Sequence, residues 1–165
     1  MRIEAKELQY SALNDAVRSS KDRSVEIFGC IGQRYLGAGL SDKDIVVHGT
    51  PGNALGAYLS GGSITVDGNV QEATGDTMNG GTIEVHGRAG DATGYAMRGG
   101  KILIEGDVGY RCGIHMKAYR TQRPVIVIGG RAGSFLGEYQ AGGLIVVLGE
   151  SEGPIVGNFC GTGMH

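Results

Sequence analysis

The sequence predicts an all-β fold: a single-stranded, right-handed parallel β-helix of seven coils of about 19 residues, with an N-terminal helical cap. Three observations carry this reading. One short phrase recurs along the chain. The 32 glycines stand in register with that phrase. No helical stretch lies between residues 24 and 165.

The phrase is two aliphatic residues flanking one variable residue, then another variable residue, then glycine. It runs Val25 to Gly29, Ile45 to Gly49, Ile64 to Gly68 and Ile83 to Gly87. It continues as Ile102 to Gly106, Ile126 to Gly130 and Ile145 to Gly149. The glycine spacings are 20, 19, 19, 19, 24 and 19. A fixed period of this length means one supersecondary unit stacked on itself. Collagen would need glycine at every third position, and disorder would lack the aliphatic phrases. Leucine-rich, ankyrin and tetratricopeptide repeats need helical segments that this chain lacks.

The fourth coil shows how a unit is built. Ile83, Glu84, Val85 and His86 alternate with period two, so they form a short strand with one buried face. Gly87, Gly90 and Gly94 permit bends that a Cβ would oppose, leaving tri- and tetrapeptides between corners. Met97 returns an apolar side chain to the interior, and Gly99-Gly100 turns the chain beneath the next strand. Three short strands per coil are expected. At about 4.8 Å per coil, seven coils make a rod about 30 Å long.

Stacking places like residues on like. Val25, Ile45, Ile64, Ile83, Ile102, Ile126 and Ile145 form one interior ladder. Ile27, Val47, Val66, Val85, Ile104, Ile128 and Val147 form a second. Leu59, Met78, Met97 and Met116 form a third. Each fully buried member contributes roughly 1.5–3 kcal/mol.

The ends of such a rod expose strand edges. Residues 1–23 are read as the cap and residues 24–165 as the β-helix domain. Ala12, Leu13, Ala16 and Val17 have helical spacing, with Ser11 as N-cap. No C-terminal cap is visible in Gly157 to His165, which leaves that end for a partner chain.

Composition narrows the function classes. At 165 residues the chain is one domain able to bury a core. A net charge of −2 and no basic stripe argue against a nucleic-acid binder. Cys30, Cys112 and Cys160 form no CxxC and read as free thiols in a reducing compartment. The charged start, Met1 to Glu7, is unlike a signal peptide, and no apolar run reaches membrane-spanning length. A cytoplasmic protein without membrane association is expected.

Several constellations bear on chemistry. His48, Asp67, His86 and Glu105 follow one another in the outward column before the repeat glycines. They make either a proton-linked or metal-binding ladder or a charge-balanced surface stripe. Gly87-x-x-Gly90 loosely echoes a phosphate loop, but a strand follows where that motif needs a helix. Asp67, Asp76, Asp91, Glu105 and Asp107 scatter over different columns, with no pair for acid–base work. Cys112 has Arg111 beside it, which would lower a thiol pKa, and Thr74, Thr93 and Leu136 in its column, which suggest packing instead. No catalytic, cofactor-binding or metal site is assigned.

Outward hydrophobicity is the more useful signal. The middle residues of the phrases are Glu26, Val46, Thr65, Glu84, Leu103, Val127 and Val146. Leu103, Val127, Val146 and Leu148 therefore give coils five to seven a greasy exterior. It marks a docking surface, unless the extra residues Ala118 to Pro124 fold over it.

These phrases resemble the GXGXG domain, the C-terminal β-helix of the large chain of glutamate synthase. The resemblance covers nearly all the chain from about residue 10. Asn14-Asp15-Ala16-Val17 matches an early signature, and Gly29 to Gln33 with Leu36-Gly37-Ala38 matches GxxGQxxGA. Glu138-Tyr139 through Gly142-Gly143 to Gly149 matches a CEYMTGG-VVVLG run, with Gly137 in place of cysteine. Asn158-Phe159 through Gly163-Met164 resembles the closing NFAAGM phrase. The β-helical subunit of formylmethanofuran dehydrogenase uses a similar coil and is the alternative.

The family reaction moves the amide nitrogen of glutamine to 2-oxoglutarate, in glutamate biosynthesis and ammonia assimilation. There the β-helix is a scaffold that binds neither FMN nor iron–sulfur cluster. The resemblance implies a noncatalytic subunit positioning a glutaminase-type amidotransferase subunit and an FMN-binding synthase subunit. FMN and the iron–sulfur cluster would sit in those partners. Met1 is followed by Arg2, so an N-terminal cysteine nucleophile is not expected, nor is a cysteine cluster for iron. A homo-oligomer is a further expectation.

The interior ladders generate a first prediction. Val85→Asp places a carboxylate in the middle of the stack and is expected to break it on both sides. Circular dichroism would then show loss of the cooperative unfolding transition.

Overall fold

A computed structural model describes all of residues 1–165. Eight strands form one sheet, each parallel to the next and in sequence order. They are β1 (Arg2–Glu4), β2 (Ser24–Ile31), β3 (Asp44–Thr50) and β4 (Ser60–Asp67). β5 (Gly80–Val85), β6 (Lys101–Ile104), β7 (Val125–Ile128) and β8 (Leu144–Val147) follow. The molecule is an all-β solenoid of about seven turns. Its register is the one the phrases dictate: Ile64 pairs with Ile83, Ile83 with Ile102, Ile102 with Ile126 and Ile126 with Ile145.

The three interior ladders lie inside, and two more join them. Leu36, Leu55, Thr74, Thr93, Cys112 and Leu136 form one; Val70, Ala89, Val108 and Ala132 form the other. Burial is close to complete from β2 to β7, so each Ile or Val of the strand columns contributes its full transfer energy there.

Only one side of each coil is a true strand, where three were expected. The remaining sides make single bridges, Ala89 to Val108 to Ala132 to Val156 and Lys117 to Ala141. Between them runs a turn in which alternate residues are left-handed. In coil four these are Ala92 (φ 55°), Gly94 (69°) and Ala96 (52°); in coil five Arg111 (59°), Gly113 (68°) and His115 (56°).

The alternation has a hydrogen-bonding reason. The amide of Ala92 donates up the rod to Tyr110, that of Gly94 down to Thr74, and that of Ala96 up to Ile114. Each turn thereby satisfies its backbone on both sides without strand geometry. Of 101 backbone hydrogen bonds, 69 lie outside helices and strands, so the turn faces hold coil on coil as much as the sheet does.

The middle residue of each left-handed triplet is glycine because there is no room for anything else. A Cβ on Gly94 would stand 2.5 Å from Cδ1 of Ile126, and one on Gly56 2.6 Å from Cδ1 of Ile83. The flanking left-handed positions face outward and carry Ala, Thr, Tyr, Arg, His or Phe. Their strain of about 1 kcal/mol each is offset by the amide bonds they direct along the rod.

Short polar side chains reinforce the corners. Asn69 Oδ1 accepts the amide of Arg88 at 2.8 Å, Asp91 Oδ1 that of Tyr110 at 2.7 Å, and Asp107 Oδ1 that of Arg131 at 2.8 Å. In each case a side chain of one coil holds the backbone of the next.

The cap differs in detail from its expected form. Helix α1 spans Tyr10–Ser19 with Gln9 at the N-cap position and no side-chain cap, so Ser11 lies inside the helix. Leu13 and Val17 are buried, Ala16 is half-buried, and Ala12 is exposed. Tertiary contact replaces the cap: Asn14 donates to the carbonyl of Arg34 at 3.0 Å, and Arg18 to that of Ala38 at 3.0 Å. These side chains occupy the carbonyls that a preceding coil would have taken. β1 was not expected; it pairs Ile3 with Ile27 and covers the edge of β2.

At the far end no strand pairs with the outer edge of β8. Ile145 and Val147 are accordingly only half-buried, whereas Ile126 and Ile128 are fully buried. No helix is long and apolar enough to cross a membrane.

The turn geometry predicts opposite sensitivities two residues apart. Gly94→Ala is expected to lose about 3 kcal/mol, from left-handed strain plus overpacking against Ile126. Ala96→Gly, at an outward left-handed position, is expected to stay within about 1 kcal/mol of the parent. Chemical denaturation of both variants measures the difference.

Candidate docking surfaces of coils five to seven

The outward column of the sheet brings Glu84, Leu103, Val127 and Val146 into direct register. Leu103 and Val127 line a shallow groove of about 520 Å³ together with Glu84, Glu105, Gly129, Leu148 and Glu150. Leu148 is 55% exposed, so its methyl groups face solvent. Val146 is half-buried in the same column but lies outside the groove lining. The extension Ala118 to Pro124 contributes nothing to that lining. Three carboxylates thus surround an open apolar floor.

The four-residue imidazole–carboxylate column separates into two clusters. His48 Nε2 lies 2.9 Å from Glu26 in the neighbouring column, and its Nδ1 lies 3.4 Å from Asp67. Phe28 stacks on the His48 ring at 4.5 Å. His86 Nδ1 meets Glu105 at 2.7 Å, and its Nε2 lies 3.6 Å from Glu84. No group of three or more His, Cys, Asp or Glu has metal-holding geometry. The hydrogen bond to Glu26 raises the His48 pKa above its usual value, and that to Glu105 does the same for His86.

The Cys30 and Cys112 thiols are packing groups, whereas Cys160 is exposed. Burial pushes Cys112 up to about 12, and its neighbour Arg111 points away, 5.4 Å from the Phe135 ring centroid. Burial pushes Cys30 up to about 11; its Sγ contacts Gln33 Oε1 at 3.3 Å. Neither is a thiolate nucleophile near neutral pH. The scattered carboxylates have structural work. Asp91 and Asp107 accept backbone amides, and Asp76 accepts the Thr77 hydroxyl at 2.8 Å. The Ser151 hydroxyl, 2.7 Å away, holds the Asp107 carboxyl below its usual range.

A second surface was not foreseen. On the turn face, His115 stacks on Tyr139 at 5.0 Å and meets the edge of Tyr95 at 5.9 Å. Beside them Phe135 stacks on Phe159 at 5.2 Å. Tyr139 and Phe159 are 45% and 63% exposed, which makes this an open aromatic face rather than a core. Tyrosine, arginine and phenylalanine are the residues that dominate binding interfaces. A usable signal was present: Arg111, Phe135 and Phe159 each precede a turn glycine by two residues, and His115 and Tyr139 follow one by two. The period had to be applied to these glycines as well as to those ending the strands.

Fold and surface together define a repeat protein with an aliphatic strand-face groove and stacked aromatic rings on the turn face of its later coils. The chain belongs to the GXGXG motif family, whose model matches residues 11–165. This domain is associated with glutamate synthases. The chain is also 46% identical over 175 residues to uncharacterized protein MJ1350 of Methanocaldococcus jannaschii. That match covers 99% of this chain and 67% of the relative, so about a third of the relative lies outside it. No solved structure matches the chain.

The imidazole clusters predict a pH dependence. A raised folded pKa stabilises the protein below the unfolded value near 6.5, and that contribution is lost as pH rises through the folded pKa. His48 and His86 are about one-third exposed, so solvent screens the effect. The melting temperature is expected to fall slightly as pH rises above about 6.5. His48→Gln with His86→Gln is expected to flatten that slope.

Proposed function

We propose that the chain is a noncatalytic scaffold subunit of a glutamate synthase-type complex. In this reading it positions a glutaminase-type amidotransferase subunit and an FMN-binding synthase subunit. FMN and the iron–sulfur cluster belong to those partners, and the assembly works in the cytoplasm.

One observation carries the reading. The inward columns repeat through the rod, while the outward columns change character in coils five to seven. The mixed run Glu26, Val46, Thr65 and Glu84 gives way to the unbroken aliphatic run Leu103, Val127 and Val146 along the strand face. Along the turn face the column runs Tyr35, Ala54, Ala73 and Ala92 and then Arg111, Phe135 and Phe159, the last two stacked on each other. The fold requires none of these exterior replacements, because the same coil closes without them earlier in the chain. An unbroken aliphatic run on the strand face, with stacked aromatic rings on the turn face of the same coils, is what a docking function adds. Family membership supports the choice of enzyme class.

Co-expression with the glutaminase-type and FMN-binding chains of the same organism tests this. The expected outcome is a stable complex that binds FMN and turns over glutamine and 2-oxoglutarate, with neither reactant consumed by the chain alone. Recovery with a molybdopterin protein instead would assign the chain to a formylmethanofuran dehydrogenase-type complex. Turnover by the isolated chain would overturn the scaffold reading.

A further inference from the structure

We propose that the strand face of coils five to seven pairs with the same face of a second copy of this chain. Each copy seats its basic hairpin in the acidic-rimmed groove of the other. The inference goes beyond the scaffold reading and does not depend on which enzyme chains the complex contains.

The hairpin is the five-residue excess of coil five. Tyr119 and Gln122 form an antiparallel bridge, exchanging amide bonds of 3.0 and 2.9 Å, with Arg120 left-handed at φ 56°. Tyr119, Arg120, Thr121, Gln122 and Arg123 are all exposed. The Arg120 guanidinium lies 5.2 Å from the Tyr119 ring. Neither Arg120 nor Arg123 forms an ion pair within the chain. The turn is therefore an ordered projection carrying two unpaired cations and an aromatic ring.

The groove is its complement in charge and polarity. Leu103, Val127 and Leu148 give an apolar floor, and Glu84, Glu105 and Glu150 give the rim. An aromatic ring with two guanidinium groups fits such a site better than a purely apolar or an acidic segment does. The remaining outer residue of the face, Val146, would be covered in the same contact.

Position makes the exchange reciprocal. The hairpin stands at the corner just before β7 begins, whereas Gly129, Leu148 and Glu150 lie just beyond the ends of β7 and β8. A two-fold axis parallel to the rod, between two facing sheets, runs the strands of the two copies in opposite directions. The starting corner of one copy then lies over the finishing corner of the other at the same coil level. The strands here are only four residues, about 13 Å, so the two corners are close. Two such contacts form at once, and the symmetry closes at a dimer. A standard interface of about 800 Å² per copy is about a tenth of the 8056 Å² surface. The turn-face aromatics stay free for other chains.

Sedimentation equilibrium of the full chain, at low and high salt, tests the proposal. A dimer that weakens with salt is expected. Arg120→Glu with Arg123→Glu, and separately Glu105→Arg with Glu150→Arg, are each expected to raise the dimer dissociation constant at least tenfold. Thermal melts of the separate variants check that both remain folded. Mixing the two variants is expected to restore dimers, because each hairpin then meets a groove of opposite charge. That restoration distinguishes a specific contact from damage to the fold. A wild-type chain that stays monomeric at about 100 µM, well above the micromolar dissociation constants of specific pairs, overturns the proposal. So does a dimer indifferent to both charge reversals, which would place the interface elsewhere. Either failure leaves the co-expression test of the scaffold reading untouched.

Discussion

The structure depends on the meeting of a turn glycine with an isoleucine methyl across the core. In coil after coil, Gly37, Gly56, Gly75, Gly94 and Gly113 face the Cδ1 atoms of Ile64, Ile83, Ile102, Ile126 and Ile145. Each glycine reaches the isoleucine two strands further along, so the contact links coils as well as the two sides of one coil. It sets the cross-section of the rod. The glycine must also be left-handed so that its amide points back to the preceding coil while its neighbours' amides point ahead. Sterics and hydrogen bonding thus demand the same residue at the same place, and the period follows. Close-packed interiors leave little freedom to vary such a contact. The five extra residues of coil five therefore sit at an outward corner, and Lys101 still pairs with Val125 in register.

The interior was legible because strand columns alternate with period two and β-branched residues mark them. The turns were less so. Ala92, Thr77, Tyr139 and Phe135 adopt left-handed backbone without being glycine, a state that local preference assigns to few residues. They hold it because the next coil accepts their amides and their side chains meet solvent. Neither condition belongs to the local sequence. The same holds for β1, three residues long and without a repeat glycine, which exists because β2 offers it an edge. Ser11 had the chemistry of an N-cap, yet the helix begins before it, fixed by Leu13 and Val17 in the core and by Asn14 and Arg18 on the first turn.

The docking face illustrates a sharper limit. Its apolar residues were readable one column at a time, since Leu103, Val127 and Val146 fall at outward positions. Its acidic rim was not, because Glu84, Glu105 and Glu150 come from different columns and different coils. The imidazole column divides for a related reason. His86 meets Glu105 of its own column at 2.7 Å, but the shortest partner of His48 is Glu26 in the adjacent one, and Asp67 lies farther away. A period predicts which residues stack. Which columns cooperate depends on side-chain reach across the sheet, and this emerges only once the strands are placed.

A perfectly repeating rod has no address along its length. Any partner that recognised one coil would recognise the next with nearly equal energy, and would slide by about 4.8 Å steps. Recognition at one level requires the exterior to break the repeat that the interior obeys. Here both exposed faces change over the same coils: the strand face becomes continuously aliphatic with an acidic rim, and the turn face gains the His115–Tyr139 and Phe135–Phe159 stacks. The hairpin that interrupts the period lies in that region too. Interior uniformity supplies a stiff, regular frame, and exterior irregularity supplies the position at which other chains are held. The two demands fall on different columns of the same repeat, so neither compromises the other.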